Sequence, residues 1–391
     1  MKKVYILIAN DFEYDNAVFY RAKSIASWGY RVTVLALRDK TGRLPDRERK
    51  ESFEVLRINV LSWRLPFLRR IKIFRYVEYF FKALIIFLQE GADVYHSCAS
   101  AEMLFMGIIA AKVLSSKAKL IYDTKDLLVG IKSVSSIKDR MDLAFFYLIE
   151  KMLIKRADIV IASSDSIAAR LKGLYSIGLP LVLRECKPFS RVEGSRKIME
   201  VLAIPEDKKI ALYFGNICKG RKLEKLVEAA EYLDGSVLVM IGDGDGKKSF
   251  IELSEKLNLS DRVRFLGRIP FDEIPVYISS ADLGITCMPN DCFNHSYNID
   301  NRLFYYIACG IPVASSNTPE RRKLIERYDM GVVFDETSPR DIARVINSML
   351  GDKILYEKLK RNATLAAKAD LNWENEARKL SAAYDSLFSP R

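Results

Sequence analysis

Residues 300–316, DNRLFYYIACGIPVASS, decide how the chain is read. Asp300 or Asn298 can cap a helix, and Leu303, Phe304, Ile307 and Ala308 then repeat at helical spacing until Gly310 stops it. The apolar run Ile311–Ala314, closed by Ser315, Ser316 and Asn317, reads as a parallel strand covered on both faces. The loop before the helix, Asp291 to Tyr297, is polar and delivers backbone N–H groups to the helix N-terminus. Unpaired amides and the positive end of the macrodipole favour an anion there, and Arg302 in the first turn adds a full charge. An ordinary capped helix on a sheet would carry the same pattern, so the remainder of the chain has to choose.

At 391 residues the chain exceeds one hydrophobic core and predicts two domains. Sixty-two Lys and Arg against 50 Asp and Glu give a formal charge of +12, which points to anionic partners. The six cysteines contain no CxxC pair, and several lie in apolar runs, as buried thiols of a reducing compartment do. Met1-Lys2-Lys3 runs into VYILIA, a first strand too short for a secretory core. Elsewhere the apolar runs fall far short of the roughly 20 residues of a membrane span. These features predict a cytoplasmic protein, soluble or peripheral on the inner face of the membrane.

Val4–Ala9, Ala17–Trp28 and Arg31–Leu37 form a βαβ opening whose first turn, Asn10 to Asn16, has no glycine, so NAD and FAD are not expected as cofactors. Strands at 93–96, 119–123 and 159–162, separated by helices, extend a doubly wound parallel sheet. A polar stretch, Cys186 to Met199, reads as the hinge. A second βα series follows, with strands at 210–214, 236–241, 263–266 and 283–286 before the opening helix. The domains expected are 1–187, 200–370 and a terminal helix, 371–391, with a ligand cleft between two facing Rossmann-like domains.

Between 62 and 88, Arg64, Arg69, Arg70, Lys72, Arg75 and Lys82 alternate with Trp63, Leu65, Phe67, Leu68, Ile71, Phe74, Tyr76, Phe80 and Phe81. A basic aromatic helix of this kind suits an anionic membrane surface, or else packs on a core and leaves its cations solvated. Nothing in the chain resembles a nucleic-acid reader, and no nucleic-acid partner is expected.

The turn after 210–214, Gly215-Asn216-Ile217-Cys218-Lys219-Gly220-Arg221-Lys222, joins two glycines to three cations at a strand's carboxyl end, where a diphosphate fits. GDGDG at 242–246 is no dinucleotide fingerprint, since Lys247 holds the sixth place, although a tight turn at Gly242 beside a nucleotide is compatible with it. The only two histidines, His96 and His295, lack ligand spacing, and no metal is expected.

Taken together these segments resemble the retaining glycosyltransferases of family 4, which have the two-domain GT-B fold. EKMLIKRADIVIASSDSIAARL (150–171), LYFGNICKGRKLEKLVEA (212–229), VRFLGRIPFDEIPVYISSADLGI (263–285) and NRLFYYIACGIPVASS (301–316) carry the likeness, and Asn372-Trp373-Glu374 opens a helix like the one that crosses back in the family. The resemblance implies that Arg221 holds the diphosphate of a nucleotide sugar with Gly215 lining the turn. Gly267, Arg268 and Ile269 would meet the base through their backbone, and Asn301 and Arg302 the phosphates and sugar. It also implies a glycan or lipid-linked acceptor and no dedicated nucleophile, because the leaving diphosphate helps deprotonate the acceptor. Four positions depart from the pattern. Tyr297 and Tyr305 stand where the family has glutamates, the second of which binds ribose; Lys125 stands for a histidine, and Asn216 for a basic residue. Lys125 and His295 are the candidates for the sugar or acceptor side. The alternative is a non-catalytic relative that binds a sugar nucleotide or pairs with an active transferase.

Overall fold

The computed structural model describes every residue except 40–41, 62–71, 99–100, 115–116, 128–136 and 390–391. Two units emerge, Met1–Arg184 with Ala377–Arg391, and Glu185–Glu376. The second unit begins inside the expected first domain because residues just past 184 already bond to it: Lys187 Nζ donates to Asn301 Oδ1 at 2.7 Å, and Ser190 N to Ala308 O at 2.9 Å.

In the first unit, β1 (Lys3–Leu7), β2 (Arg31–Leu37), β3 (Arg47–Lys50), β4 (Phe53–Ile58), β5 (Val94–Cys98), β6 (Lys119–Thr124), β7 (Ile159–Ala162) and β8 (Leu181–Val182) form one sheet in the order β3-β4-β2-β1-β5-β6-β7-β8. All pairs are parallel except β3–β4, an edge hairpin that the sequence reading did not anticipate. β5 is buried along its whole length and β1 from Val4 to Leu7, as parallel strands between helix layers are. The expected helix at 103–114 is an α-helix, Ala101–Ile108, that continues as a π-helix through Leu114.

A buried ionic chain lies on that sheet. Arg21 Nε donates to Asp123 Oδ2 at 2.6 Å; His96 Nε2 lies 3.3 Å from the same oxygen, and His96 Nδ1 lies 2.9 Å from the Tyr384 hydroxyl. Tyr384 belongs to the last helix, Trp373–Ser386, and its ring packs edge-on against Trp28 and Tyr30. Burial pushes the Asp123 pKa up, but the Arg21 guanidinium and His96 outweigh it and hold the carboxyl well below the usual range.

The second unit contains β9 (Lys209–Phe214), β10 (Ser236–Ile241), β11 (Val263–Leu266), β12 (Leu283–Thr286), β13 (Val313–Ser316) and β14 (Gly331–Phe334). Its fully parallel order, β11-β10-β9-β12-β13-β14, reverses direction between β9 and β12, the switch point at which doubly wound sheets open a crevice at their strand ends. The key helix runs Asn301–Ala308 and ends at Gly310, whose φ of +65° supplies the left-handed stop. The strand expected at 311–314 instead starts at Val313. Ile311 N is spent on Tyr306 O, and Pro312 has no N–H to give the ladder.

Two turns of this sheet are packed backbone on backbone. A Cβ on Gly242 would lie 1.9 Å from Gly215 O, and one on Gly244 2.4 Å from Ile217 O. GDGDG is therefore glycine-rich because it lies against the turn that follows β9.

Two outcomes follow from this packing. Arg21→Met strands the Asp123 carboxylate in the interior and is expected to cost about 3–5 kcal/mol in denaturant unfolding. Because the native Asp123 pKa is depressed, its stabilisation exists above the unfolded carboxyl pKa of about 4 and fades as pH falls below it. Gly242→Ala forces a left-handed φ and a backbone clash together, and is expected to lower stability by roughly 3 kcal/mol or more.

Candidate active site at the switch point of the second unit

The turn Gly215–Lys222 leaves β9 and the segment from Cys287 leaves β12, so the two flank the reversal of strand order. They are tied together: the Cys287 thiol donates to Arg221 O at 3.4 Å. Burial pushes that thiol up to about 12, so it is a protonated structural donor. Lys222 takes φ +60° at the helix entry, which turns the chain so that the Leu223–Ala229 helix starts beside the crevice.

The Asn301–Ala308 helix meets this turn directly. Gly215 has φ +128°, and a Cβ there would stand 3.7 Å from the Arg302 guanidinium carbon. Arg302 is 5% exposed, lies 4.4 Å over the Tyr213 ring, and has its Nε 3.5 Å from Asp300 Oδ2. Its Nη1 has no hydrogen-bond partner. Burial works against its charge, but the oxygens of Tyr213, Asp300 and Tyr306 outweigh that and hold it firmly protonated.

Asp300 sits at the N-cap position with extended backbone, yet its carboxylate accepts no helix amide. The expected side-chain cap is absent because two arginines claim the carboxylate: Arg302, and Arg321 Nη2 at 3.5 Å. Arg321, 1% exposed, also donates from Nη1 to Thr318 Oγ1 at 2.7 Å and to His295 O at 3.2 Å. The first-turn amides of the helix are thus left uncapped by Asp300 beside two buried guanidiniums.

The other sequence candidates fall at varied distances from this core. Asn301 holds Lys187, whose Nζ also lies 5.0 Å from the Tyr305 ring centroid. Tyr305 is buried and meets Phe214 edge-on at 5.6 Å. Tyr297 packs on Phe293, and His295 Nδ1 lies 2.6 Å from Asp291 Oδ1; both residues belong to a short helix, Phe293–Tyr297, where a loop was expected. Asn216 is exposed, with its amide oxygen 2.5 Å from where a Gly244 Cβ would stand. Gly267 has open space on its Cβ side, Arg268 is exposed 4.0 Å from Asp243, and Ile269 is buried in the core and leaves only backbone to offer a ligand. Lys125 belongs to the first unit, where its Nζ lies 3.1 Å from Asp15 Oδ1. That ion pair helps depress Asp15, overcoming the opposing effect of burial.

Sequence reasoning missed Tyr306, Arg321 and Lys187. The Tyr306 hydroxyl donates to Leu212 O at 2.9 Å and lies 3.1 Å from Ile285 O, while accepting Phe214 N at 2.8 Å. Its ring occupies the space that Gly284 leaves, since a Cβ there would meet it at 2.3 Å. A glycine in the middle of β12 was the available signal. Arg321 and Lys187 carried none, because both stand in charged, polar sequence.

Two family models cover most of the chain. Residues 17–177 match the glycosyl transferase 4-like domain, and residues 194–366 match glycosyl transferases group 1. An uncharacterized glycosyltransferase of Methanocaldococcus jannaschii is 22% identical over 298 residues, covering 73% of this chain and 72% of that protein. Further curated relatives are covered over 58% and 57% of their length. Sucrose-phosphate synthase from Thermosynechococcus elongatus superposes with a TM-score of 0.82 at 19% identity, covering 99% of both chains. Anabaena HepE, solved in complex with UDP-glucose, superposes with a TM-score of 0.74 at 16% identity, covering 99% of this chain and 100% of that one. With one model on each unit and the architecture shared from end to end, the chain belongs to the group 1, family 4-like glycosyltransferases and has their GT-B fold.

Proposed function

We propose that the protein transfers a sugar, with retention of configuration, from a nucleotide diphosphate sugar to a glycan or lipid-linked acceptor. The observation that carries this reading is the meeting of Gly215 and Arg302. A glycine turn with its bare face on a buried guanidinium, beside uncapped helix amides, is an arrangement suited to a pyrophosphate. HepE, whose fold this chain shares, was solved with UDP-glucose, which supports a donor of that class.

In this reading Arg221 neutralises the diphosphate from the β9 turn, and Arg302 adds charge from beneath Gly215. The backbone of Gly267, Arg268 and Ile269 receives the base, with Gly242 and Asn216 shaping the wall of the site. The Tyr305 hydroxyl replaces a carboxylate at the ribose, while Tyr297 and Asn301 border the sugar. Lys125 and His295 serve the sugar or acceptor side. Departure of the diphosphate is the difficult step, and fixed cations stabilise the charge that develops on it without reorganising. The same leaving oxygen then accepts the acceptor's proton on the face from which the diphosphate departs.

The acceptor side fits a membrane surface at the cytoplasmic face. The expected basic helix is described from Lys72 to Glu90, and its side chains from Val77; residues 62–71, which hold Trp63 and three of the arginines, lie outside the described residues. Tyr79, Ala83 and Phe87 are buried, whereas Val77, Phe81, Ile85 and Leu88 are exposed along the opposite side, and Phe105 is exposed on the next helix. An apolar stripe of this kind, with Lys82 beside it, suits an anionic bilayer interface. No helix among the described residues is long and apolar enough to cross a membrane.

Two measurements test these assignments. Arg221→Ala is expected to lower kcat/KM for donor hydrolysis or transfer by ~100-fold or more while leaving the melting temperature nearly unchanged; normal turnover removes Arg221 from the phosphate role. In vesicle flotation the chain is expected to bind anionic over zwitterionic lipid, and Phe81→Glu with Ile85→Glu is expected to abolish that binding. Equal recovery with both lipids, or unchanged binding of the double variant, removes the membrane surface.

A further inference from the structure

The segment that feeds the key helix carries three different metal-ligating groups on adjacent turns of chain. A carboxylate oxygen of Asp291, the Cys292 Sγ and an imidazole nitrogen of His295 all lie within 4.8 Å of one another. Ligands around a single tetrahedral ion sit roughly 3–4 Å apart, so rotation of these side chains alone closes the set. All three are reachable: the side chains of Asp291 and His295 are 58% and 36% exposed, and Cys292 is a free, half-buried thiol.

The backbone beneath them is already held. Ser296 Oγ donates to Cys292 O at 2.9 Å, Asn290 N donates to Glu336 Oε1 at 3.1 Å, and buried Arg321 fixes His295 O at 3.2 Å. A cation therefore finds the loop organised and pays little ordering entropy. The other such cluster among the described residues, His96, Cys98 and Asp123, differs in this respect. Arg21 occupies the Asp123 carboxylate and Tyr384 the His96 ring, and all three groups are buried, so an ion would have to break a satisfied network.

We propose that Asp291, Cys292 and His295 form a divalent transition-metal site. A thiolate, an imidazole and one carboxylate select a borderline ion such as Zn2+ or Co2+ over the hard cations Mg2+ and Ca2+, which prefer oxygen alone. Two of the residues, Asp291 and Cys292, immediately precede the short helix whose far end is Tyr297, and the third, His295, lies within it. Metal binding turns the His295 ring from its Asp291 contact to the ion and so withdraws it from the sugar or acceptor side. That consequence for transfer rests on the donor-site reading above; the metal site does not.

Co2+ titration of the reduced full-length protein, followed by the thiolate-to-cobalt absorption band, tests the site directly. One equivalent is expected to bind and to be displaced by Zn2+. Cys292→Ser is expected to abolish the band, Asp291→Asn to weaken binding by ~10-fold or more, and Cys218→Ser, at the other half-buried thiol, to leave it intact. Absence of the band, its survival in Cys292→Ser, or its loss in Cys218→Ser overturns the proposal. In a transfer assay, Zn2+ is expected to inhibit the native protein and to spare Cys292→Ser; equal inhibition of both overturns the regulatory consequence. A chain that turns over no donor at all would count against the donor-site reading, with the cobalt spectrum still deciding the metal.

Discussion

The Tyr306 hydroxyl is the contact on which the second unit depends. It accepts the amide of Phe214 and faces the carbonyls of Leu212 and Ile285, so one side chain reaches both strands that border the switch point. Each such bond contributes only about 1 kcal/mol net, but they are made in the interior, where an unmet partner would cost more. The ring needs a gap in β12, and Gly284 supplies it. With the helix docked this closely, its first turn reaches the glycine turn after β9, and Arg302 comes to lie under Gly215. Removing the ring would remove the geometry as well as the packing.

The charge arrangement follows from that docking. Burying two guanidiniums around one carboxylate is expensive, because Asp300 can neutralise only one of them. The arrangement persists although Arg302 Nη1, Arg321 Nε and both Asp300 carboxylate oxygens make no hydrogen bond. A folded protein that tolerates this at the ends of its sheet strands has an electrostatic preference for an anion built into it. The same economy explains the glycines of 242–246, which let two βα turns touch so that the wall of the crevice is backbone.

Both units use one architecture for different ends. In the first, a satisfied buried network from Arg21 to Tyr384 joins the last helix to the sheet and leaves Lys125 paired with Asp15 at the strand ends. In the second, the network at the corresponding edge is incomplete.

Much of this was legible in the primary structure. Alternating apolar runs and helical repeats gave the parallel α/β class and most element boundaries, because strand and helix periodicities are local. The motif at 212–229 and the helix at 301–308 pointed to the β9 turn and to Asn301, Arg302 and Tyr305. The hairpin at 47–58, with strands as polar as RERK, was not legible, since an edge strand needs no apolar alternation. Nor was the placement of Asp300, which local chemistry assigns to a helix cap and tertiary contact assigns to two arginines more than one residue away in sequence. Local spacing thus determined the fold class and the cationic, glycine-bearing turn. Only the tertiary structure decided which of those cations are buried and which glycines serve backbone contact, because these depend on distances between segments that sequence order leaves free.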